Sequence, residues 1–236
     1  MKKLMMIAAM MAATVTASAQ FEPGTFSLQP KLGGTGAMLS NMPALNTRGV
    51  AGVNLNSDKT ATGGFIIGGE AEYQFSKAFS IAAGVNYAQQ GSGWKDKSFS
   101  YNGYAEYSGS SVVADLKDAK IELGYVNVPI VVNAYLFRGF ALKAGVQFGF
   151  LTSADMKFTI KAEQGDISLS TNYDQSIKDS FEKMDIAIPV GVSYQFPVPI
   201  VIDARYNIGL KNINKTDGVS LKNQVFQITV GYKFAL

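Results

Sequence analysis

The last thirteen residues of the chain, 224–236, alternate regularly between apolar and polar side chains. The apolar positions are Phe226, Ile228, Val230, Tyr232, Phe234 and Leu236, and the positions between them include Gln227, Thr229, Gly231 and Lys233. A period of two is typical of a β-strand that separates two unlike environments. Because the apolar face continues to the last residue, this segment favours a lipid-facing strand of a membrane β-barrel.

The first nineteen residues differ in composition from the rest. Two lysines at positions 2 and 3 are followed by an apolar run and by the small residues Ala17-Ser18-Ala19. This order predicts a cleaved signal peptide at 1–19 and a single mature domain at 20–236. The apolar run is shorter than the roughly 20 residues of a membrane-spanning helix, so we expect any membrane crossing to use strands.

The composition narrows the class of function. The 236 residues contain 24 Gly, no Cys and no His, and the formal net charge is +3. Without Cys we expect neither a disulfide framework nor a lipidated cysteine anchor. Without His the usual general base of a hydrolase is missing, so we expect a protein that is not an enzyme and has no catalytic or metal site and no cofactor. The charge gives no argument for a nucleic-acid partner.

Eight segments with the same alternation are separated by turn signals. They cover residues 25–36, 64–75, 78–89, 122–137, 140–152, 185–196, 200–211 and 224–234. Their connections are short at 76–77, 138–139 and 197–199, and long at 37–63, 90–121, 153–184 and 212–223. We therefore predict an all-β, eight-stranded antiparallel up-and-down transmembrane β-barrel in a Gram-negative-type outer membrane. Its short turns are periplasmic and its long loops extracellular.

Aromatic residues are concentrated at the short-turn end, where an interfacial girdle is expected. They are Phe75, Phe79, Tyr135, Phe137, Phe140, Tyr194 and Phe196. The competing architecture is a soluble lipocalin-like barrel, which has its apolar face inside. Alternation alone does not distinguish the two. The girdle, the two classes of loop length and the apolar C-terminal strand favour lipid on the outside.

Two prolines, Pro129 and Pro189, interrupt predicted strands in the similar settings Val-Pro-Ile and Ile-Pro-Val. Proline cannot donate a hydrogen bond to the strand ladder, and a closed barrel has no free edge to accommodate it. Both prolines fall at inward positions. We therefore predict bulges or extracellular-side bends that end regular pairing.

Four stretches resemble the PorT-type outer-membrane β-barrel family. They are Tyr125-Val126-Asn127-Val128-Pro129-Ile130, Ala141-Leu142-Lys143-Ala144-Gly145-Val146-Gln147-Phe148-Gly149, Asp203-Ala204-Arg205-Tyr206-Asn207-Ile208-Gly209-Leu210 and Gly231-Tyr232-Lys233-Phe234. The resemblance covers nearly the whole mature chain and implies a small exported barrel without a lipid anchor. One branch of that family is linked to a protein-secretion apparatus. Ala235 and Leu236 follow the phenylalanine at which such chains often stop, so the resemblance departs from the family at the signal for the barrel-insertion machinery.

The inward positions of the predicted strands carry four basic and three acidic side chains, namely Lys31, Glu70, Glu72, Lys143, Asp203, Arg205 and Lys233. We expect Lys31 to face Glu70 and Glu72, and Asp203 and Arg205 to lie beside Lys233. An eight-stranded barrel has little internal space, and buried charges are normally paired. The hypothesis is a charge-paired, filled lumen, and the alternative is a narrow passage for small solutes.

The second and third long loops contain the remaining candidates. The second contains Trp94, Phe99, Tyr101, Tyr104 and Tyr107, which suit contact with a glycan or a protein, or else close the barrel mouth. In the third, two alternating segments flank Gln164-Gly165-Asp166 and predict a hairpin above the membrane. Its acidic surplus could hold a divalent cation, although no motif spacing supports this over solvation. The sequence thus predicts a structural, adhesive or assembly-partner protein in contact with outer-membrane lipid, and a loop-based receptor for glycan or protein is the other alternative.

Overall fold

The computed structural model describes residues 21–41, 59–101, 112–164, 167–216, 218 and 220–236 of the chain. The predicted signal peptide at 1–19 lies outside the described residues and stays a prediction. Strand β1 is Phe26–Ser40, β2 is Lys59–Thr60, β3 is Thr62–Gln74, β4 is Phe79–Trp94, β5 is Lys97–Tyr101 and β6 is Val112–Phe137. Strand β7 is Phe140–Gln164, β8 is Ile167–Ser176, β9 is Met184–Gln195, β10 is Ile200–Gly209, β11 is Lys222–Tyr232 and β12 is Phe234–Ala235, and a 3-10 helix spans Lys178–Ser180.

Eight of the strands close into a ring of antiparallel neighbours. The order around the ring is β1, β3, β4, β6, β7, β9, β10 and β11, and β4 pairs with β6. The ring closes where β1 pairs with β11, from Lys31 opposite Gly231 to Ser40 opposite Lys222. Closure leaves none of these strands with a free edge, which is the condition for crossing hydrocarbon with strands. The predicted eight-stranded antiparallel barrel is confirmed.

The short turns lie together at one end of the barrel. Arg138 and Gly139 form a two-residue hairpin between β6 and β7, and Gly139 has a φ of +79°, a conformation that few residues other than glycine adopt. The turn between β3 and β4 is fixed by the backbone N–H of Phe79, which donates to Ser76 Oγ at 2.9 Å. Tight turns at this end fix the registers of the three hairpins that they join.

The outward face of the barrel is apolar and the inward face is polar. Exposed apolar side chains occur on strands around the ring, for example Leu32, Ile67, Ile202 and Ile228. The buried set instead contains charged and amide side chains from the alternate positions of the same strands. This polarity is the reverse of a lipocalin core, because the solvent of the outer face is hydrocarbon. No helix among the described residues is long and apolar enough to cross a membrane.

An aromatic girdle surrounds the short-turn end. Its ring pairs include Phe75 with Phe79, Phe137 with Phe140 and Tyr194 with Phe196, at centroid separations of 6.3, 4.7 and 4.9 Å. Tyr135, predicted to belong to the girdle, instead points inward and is 5% exposed. The prediction for Tyr135 was wrong because its strand places odd-numbered residues inside, and a phenol is tolerated there when its hydroxyl has a partner.

Two strands extend far beyond the predicted bounds. Strands β6 and β7 contain 26 and 25 residues, which is about 80 Å of chain at roughly 3.3 Å per residue. Their outer halves pair with each other as far as Val113 opposite Glu163. Strand β5 adds to β6, and β8 adds to β7. These four strands form a sheet that projects from the long-loop end of the barrel, here called the protruding sheet.

Both interior prolines remain within continuous strands. Pro129 lies opposite Gln147 of β7 in an unbroken register, and its pairing with β4 is interrupted only at Gly84 and Val85 before it resumes in the same register. Pro189 lies opposite Asn207 of β10, with a similar gap in the pairing with β7. The predicted bulges and strand ends were wrong. Each proline lacks a backbone N–H, and its strand loses hydrogen bonds to one neighbouring strand only. Pairing with the other neighbour, and with both neighbours on either side of the gap, keeps the strand in the ring.

Candidate functional site

The barrel lumen contains a group of five buried charged side chains, here called the central cluster. Its members are Lys31, Glu70, Lys143, Asp203 and Arg205. They come from β1, β3, β7 and β10, and none is more than 5% exposed. The alternation of each strand turns these residues inward, and the stagger of the strands brings them to the same height.

Glu70 lies between two cations of the central cluster. Lys31 Nζ donates to Glu70 Oε1 at 2.5 Å, and Arg205 donates to both Glu70 oxygens at 2.6 and 2.7 Å. The two-pronged contact matches the planar guanidinium to the planar carboxylate. Asp203 Oδ2 accepts from Lys143 Nζ at 2.5 Å and from Arg205 Nη2 at 2.9 Å, and Arg205 Nε lies 2.7 Å from Oδ1.

A glycine makes this approach possible. Gly191 of β9 lies between Lys143 of β7 and Arg205 of β10 in the sheet. A Cβ at Gly191 would stand 2.3 Å from the carbonyl oxygen of Ala204 and 3.0 Å from Arg205 Cγ. The missing side chain therefore leaves the space that the arginine stem occupies.

A second cluster lies nearer the short turns. Lys233 Nζ is 2.9 Å from Glu72 Oε2, and the Ser80 and Tyr135 hydroxyls both donate to Glu72 Oε1 at 2.6 Å. The Lys233 ammonium also lies 5.4 Å from the centre of the Phe21 ring. The predicted proximity of Lys233 to Asp203 and Arg205 was wrong, as was that of Lys31 to Glu72. Thr229 is the residue opposite Asp203, so Lys233 lies four residues further towards the periplasmic end.

Above the central cluster the lumen is lined by buried amides. Asn127 donates to Asn86 Oδ1 at 3.3 Å, and Asn223 donates to Asp185 Oδ2 at 2.8 Å. Asn207 is 2% exposed, and neither of its amide atoms has a hydrogen-bond partner among the described residues. This layer is therefore polar and only partly satisfied by protein groups.

An apolar cluster closes the outer end of the lumen; closure of the barrel mouth was an expected alternative for Trp94, but the other members were not predicted from the sequence. Its members are Leu39, Trp94, Ala119, Ile121, Leu123, Tyr125, Leu151, Ala154, Phe181, Ile213 and Leu221, and we call it the apolar cap. The signal was present in β6, where Ile121, Leu123 and Tyr125 share the inward phase with Asn127. The apolar face of the strand thus changes from outside to inside where the strand leaves the membrane.

The structure describes the predicted binding residues of the second loop to different extents. Trp94 is not in an exposed loop but ends β4, is 6% exposed, and packs in the apolar cap. Its ring is therefore unavailable for stacking on a glycan, and for Trp94 the alternative expectation, closure of the barrel mouth, is confirmed. Phe99 and Tyr101 lie on β5, whose aromatic side chains are outside the described residues, as are Tyr104 and Tyr107 entirely.

The predicted hairpin of the third loop is confirmed as the outer part of β7 paired with β8. The register runs from Asp155 opposite Ser176 to Gln164 opposite Ile167. Lys157 is 2.8 Å from Glu122 on β6, and this hydrogen bond raises the pKa of the lysine. Among the described residues, no group of three or more carboxylate side chains is placed to hold a metal ion.

A family model of known proteins agrees with this architecture. Residues 18–215 match the family model described as outer membrane protein beta-barrel domain. No curated protein gives a significant match. Among solved structures, the chain is similar to Ail of Yersinia pestis in complex with the heparin analogue sucrose octasulfate, at 14% identity and a TM-score of 0.39, covering 90% of this chain and 99% of that one. It is also similar to Neisserial surface protein A, at 13% identity and a TM-score of 0.41, covering 89% and 97%. A third is AlkL, at 14% identity and a TM-score of 0.38, covering 93% and 94%.

Proposed function

Because the chain belongs to the outer membrane protein β-barrel domain family, we propose that it is a closed, non-enzymatic barrel that presents the protruding sheet to a protein partner outside the cell. The barrel lies in the outer membrane, in contact with its lipid. The partner adds a strand to the edge formed by β8. The role is adhesive or one of assembly, as the sequence predicts.

The observation that carries this proposal is the exposure of β8. Within the described part of the chain β8 pairs only with β7, so its second edge has free backbone groups. Residues 168–176 are exposed on both faces of the strand. An edge of this kind is a template for strand addition, and natural proteins usually protect it. Strand β8 has no lysine, arginine or proline to block such pairing.

One face of β8 also offers side-chain contacts. Leu169 and Tyr173 are 64% and 44% exposed and share a face with Ile160 and Phe158 of β7. The rings of Phe158 and Tyr173 stack at 4.7 Å. Main-chain pairing gives affinity in strand addition, and alternate side chains give specificity. This apolar face continues from the apolar cap, against which Phe158 packs.

Site-specific crosslinking on intact cells tests the proposal. A photo-crosslinking amino acid at Ser170 or Asn172, on the β8 edge, is expected to give a defined adduct with one partner protein. The variant L169K/Y173K should lose that adduct while the barrel keeps its heat-modifiable migration on gels. The same probe at exposed Lys178, beyond the end of β8, is the matched control. Equal adducts from both positions, or none from β8, would contradict docking at this edge.

The lumen supports a closed barrel. The central cluster, the amide layer and the apolar cap follow one another along the barrel axis, and each cation in the centre contacts a carboxylate. We therefore expect purified protein in planar bilayers to show no ohmic conductance. Stable conductance steps would favour the alternative, a narrow passage for small solutes. One observation favours this alternative. In the amide layer, the side chain of Asn207 has no hydrogen-bond partner among the described residues.

Two finer assignments complete the proposal. The resemblance to the PorT-type family supports an assembly partner within a secretion apparatus, and co-purification of such components through the β8 crosslink would identify that branch. The alternating C-terminal strand β11 supports recognition by the barrel-insertion machinery. Glycan binding through loop aromatics has less support, because Trp94 is buried.

A further inference from the structure

The central cluster has more positive than negative charge. Three cations, Lys31, Lys143 and Arg205, face two carboxylates, Glu70 and Asp203. A formal charge of +1 therefore remains within the central cluster. An unpaired charge in a low-dielectric interior is costly, and buried charges are normally compensated.

Neighbouring charges among the described residues do not supply the missing negative charge. Lys233 and Glu72 neutralise each other at 2.9 Å. Asp185 lies on β9 six residues from Gly191, which is the residue opposite Arg205. That separation is about 20 Å at roughly 3.3 Å per residue. Asp185 is held instead by Asn223 in the amide layer.

Hydrogen-bond donors near the cluster are also in excess. An ammonium has three N–H groups, yet Lys31 Nζ contacts only Glu70 within the described part of the chain. Gln29 Nε2 and Thr229 Oγ have no partner there either, and these residues are 4% and 2% exposed. Gln227, opposite Arg205, has a third unpartnered donor in its Nε2.

The unpartnered donors lie along one part of the inner wall. Lys31 is flanked by two glycines, Gly231 of β11 and Gly68 of β3, and the side chains of Gln29 and Asn86 lie over these two positions. Gln29 Nε2 lies 2.5 Å from the point where a Cβ on Gly231 would stand. Thr229, two residues along β11 on the same face, lies opposite Asp203. Two donors without partners among the described residues, the Gln29 amide and the Thr229 hydroxyl, therefore lie within two positions of Lys31 or of Gly231 opposite it.

We propose that the lumen binds one small monovalent anion, such as chloride, beside Lys31 on the inner wall formed by β1 and β11. The donors that hold it are Lys31 Nζ, Gln29 Nε2 and Thr229 Oγ. A water molecule would satisfy these donors but would leave the charge of +1 uncompensated. A monovalent anion satisfies both requirements. The anion balances the charge of the central cluster, and the site is independent of docking at β8.

Bromide is the probe for this site, because it replaces chloride and scatters anomalously. Crystals of the full barrel grown in sodium bromide are expected to show one anomalous peak inside the lumen next to Lys31. In solution, the urea midpoint should be higher in sodium chloride than in sodium gluconate of equal ionic strength, since an anion that binds only the folded state stabilises it. The difference should saturate with chloride concentration.

Two variants remove the site in opposite ways. Gln29→Glu keeps the side-chain shape and provides a carboxylate beside Lys31, whereas Lys31→Met removes the excess cation. Both are expected to abolish the bromide peak and the chloride dependence. Lys211→Met, which removes a partly exposed lysine paired with Glu182, should retain both.

Three results would overturn the proposal. They are an empty lumen in bromide crystals, equal urea midpoints in chloride and gluconate, and chloride dependence that persists in Gln29→Glu. The glutamate variant keeps the test decisive if Lys31→Met fails to fold, because it preserves every ion pair of the central cluster.

Discussion

Replacing Glu70 by glutamine should be among the most destabilising single changes in the barrel. The substitution preserves size but removes the carboxylate that accepts from Lys31 and, through both oxygens, from Arg205. Three cations would then face Asp203 alone, with all four side chains at 3% exposure or less. Breaking a buried ion pair by removing one partner costs about 3–5 kcal/mol, since the remaining charge stays buried. At roughly 1.4 kcal/mol for each factor of ten, that is a loss of about two to four orders of magnitude in the folding equilibrium constant.

Equilibrium unfolding in urea measures this loss, and the chain supplies its own probe. Trp94 is the only tryptophan of the sequence and is buried in the apolar cap. Its fluorescence will therefore report opening of the barrel in lipid vesicles. The matched control is Glu182→Gln, which breaks the 3.3 Å pair with Lys211 at 38% side-chain exposure. Solvent screens that pair, so we expect a loss of about 0–1 kcal/mol.

Equal losses for Glu70→Gln and Glu182→Gln would refute the argument. They would mean that water reaches Glu70 and screens the central cluster as well as it screens the surface. A second check is the double variant Glu70→Gln with Lys31→Met, which restores the wild-type charge of +1. It should be more stable than Glu70→Gln alone, because the stranded cation is gone.

Three further predictions use the same unfolding assay. Leu123→Ala, in the apolar cap at 1% exposure, should cost about 2–5 kcal/mol through the cavity it leaves, and a loss below about 1 kcal/mol would mean that the cap is loosely packed. Ile228→Lys, at an exposed position in the middle of β11, should cost about 2–4 kcal/mol in a bilayer if that position faces lipid, whereas a neutral result would place it in water. Gly191→Ala should reduce the heat-modifiable fraction, because its Cβ would lie 2.3 Å from the Ala204 carbonyl oxygen, and a wild-type fraction would show that the sheet shifts easily.

Most of the barrel was predictable because its signals are local. A residue's phase within one strand decides whether it faces lipid or lumen, as for Ile228 and Thr229, and that phase is present in the sequence itself. The inward position of the seven lumen charges follows from the same rule. Tyr135 is the exception, because the girdle was inferred from its place along the chain and not from the phase of its strand.

Contacts between distant strands were less predictable. Lys233 contacts Glu72 instead of Asp203. The stagger of the strands around the closed ring decides which inward residues lie at the same height along the barrel axis, and no single strand specifies that stagger. The outer halves of β6 and β7 are strands because they pair with each other and with β5 and β8. The alternation in the third loop predicted the hairpin of β7 and β8, whereas the extension of β6 and its pairing with β5 were not predicted.

The sequence by itself determined a membrane barrel of eight strands, because alternation with a period of two separates the two faces of each strand. The aromatic girdle, the two classes of loop length and the apolar C-terminal strand then placed the apolar face outside and the charged face inside. The predicted contact of Lys31 with Glu70 is confirmed. Only the tertiary structure decided the partners of Lys143, Arg205 and Lys233, which of its two expected roles Trp94 has, and that β8 is an open edge. These features depend on the register and on contacts between strands that are far apart in the chain. The free energy of such contacts depends on the closed ring as a whole.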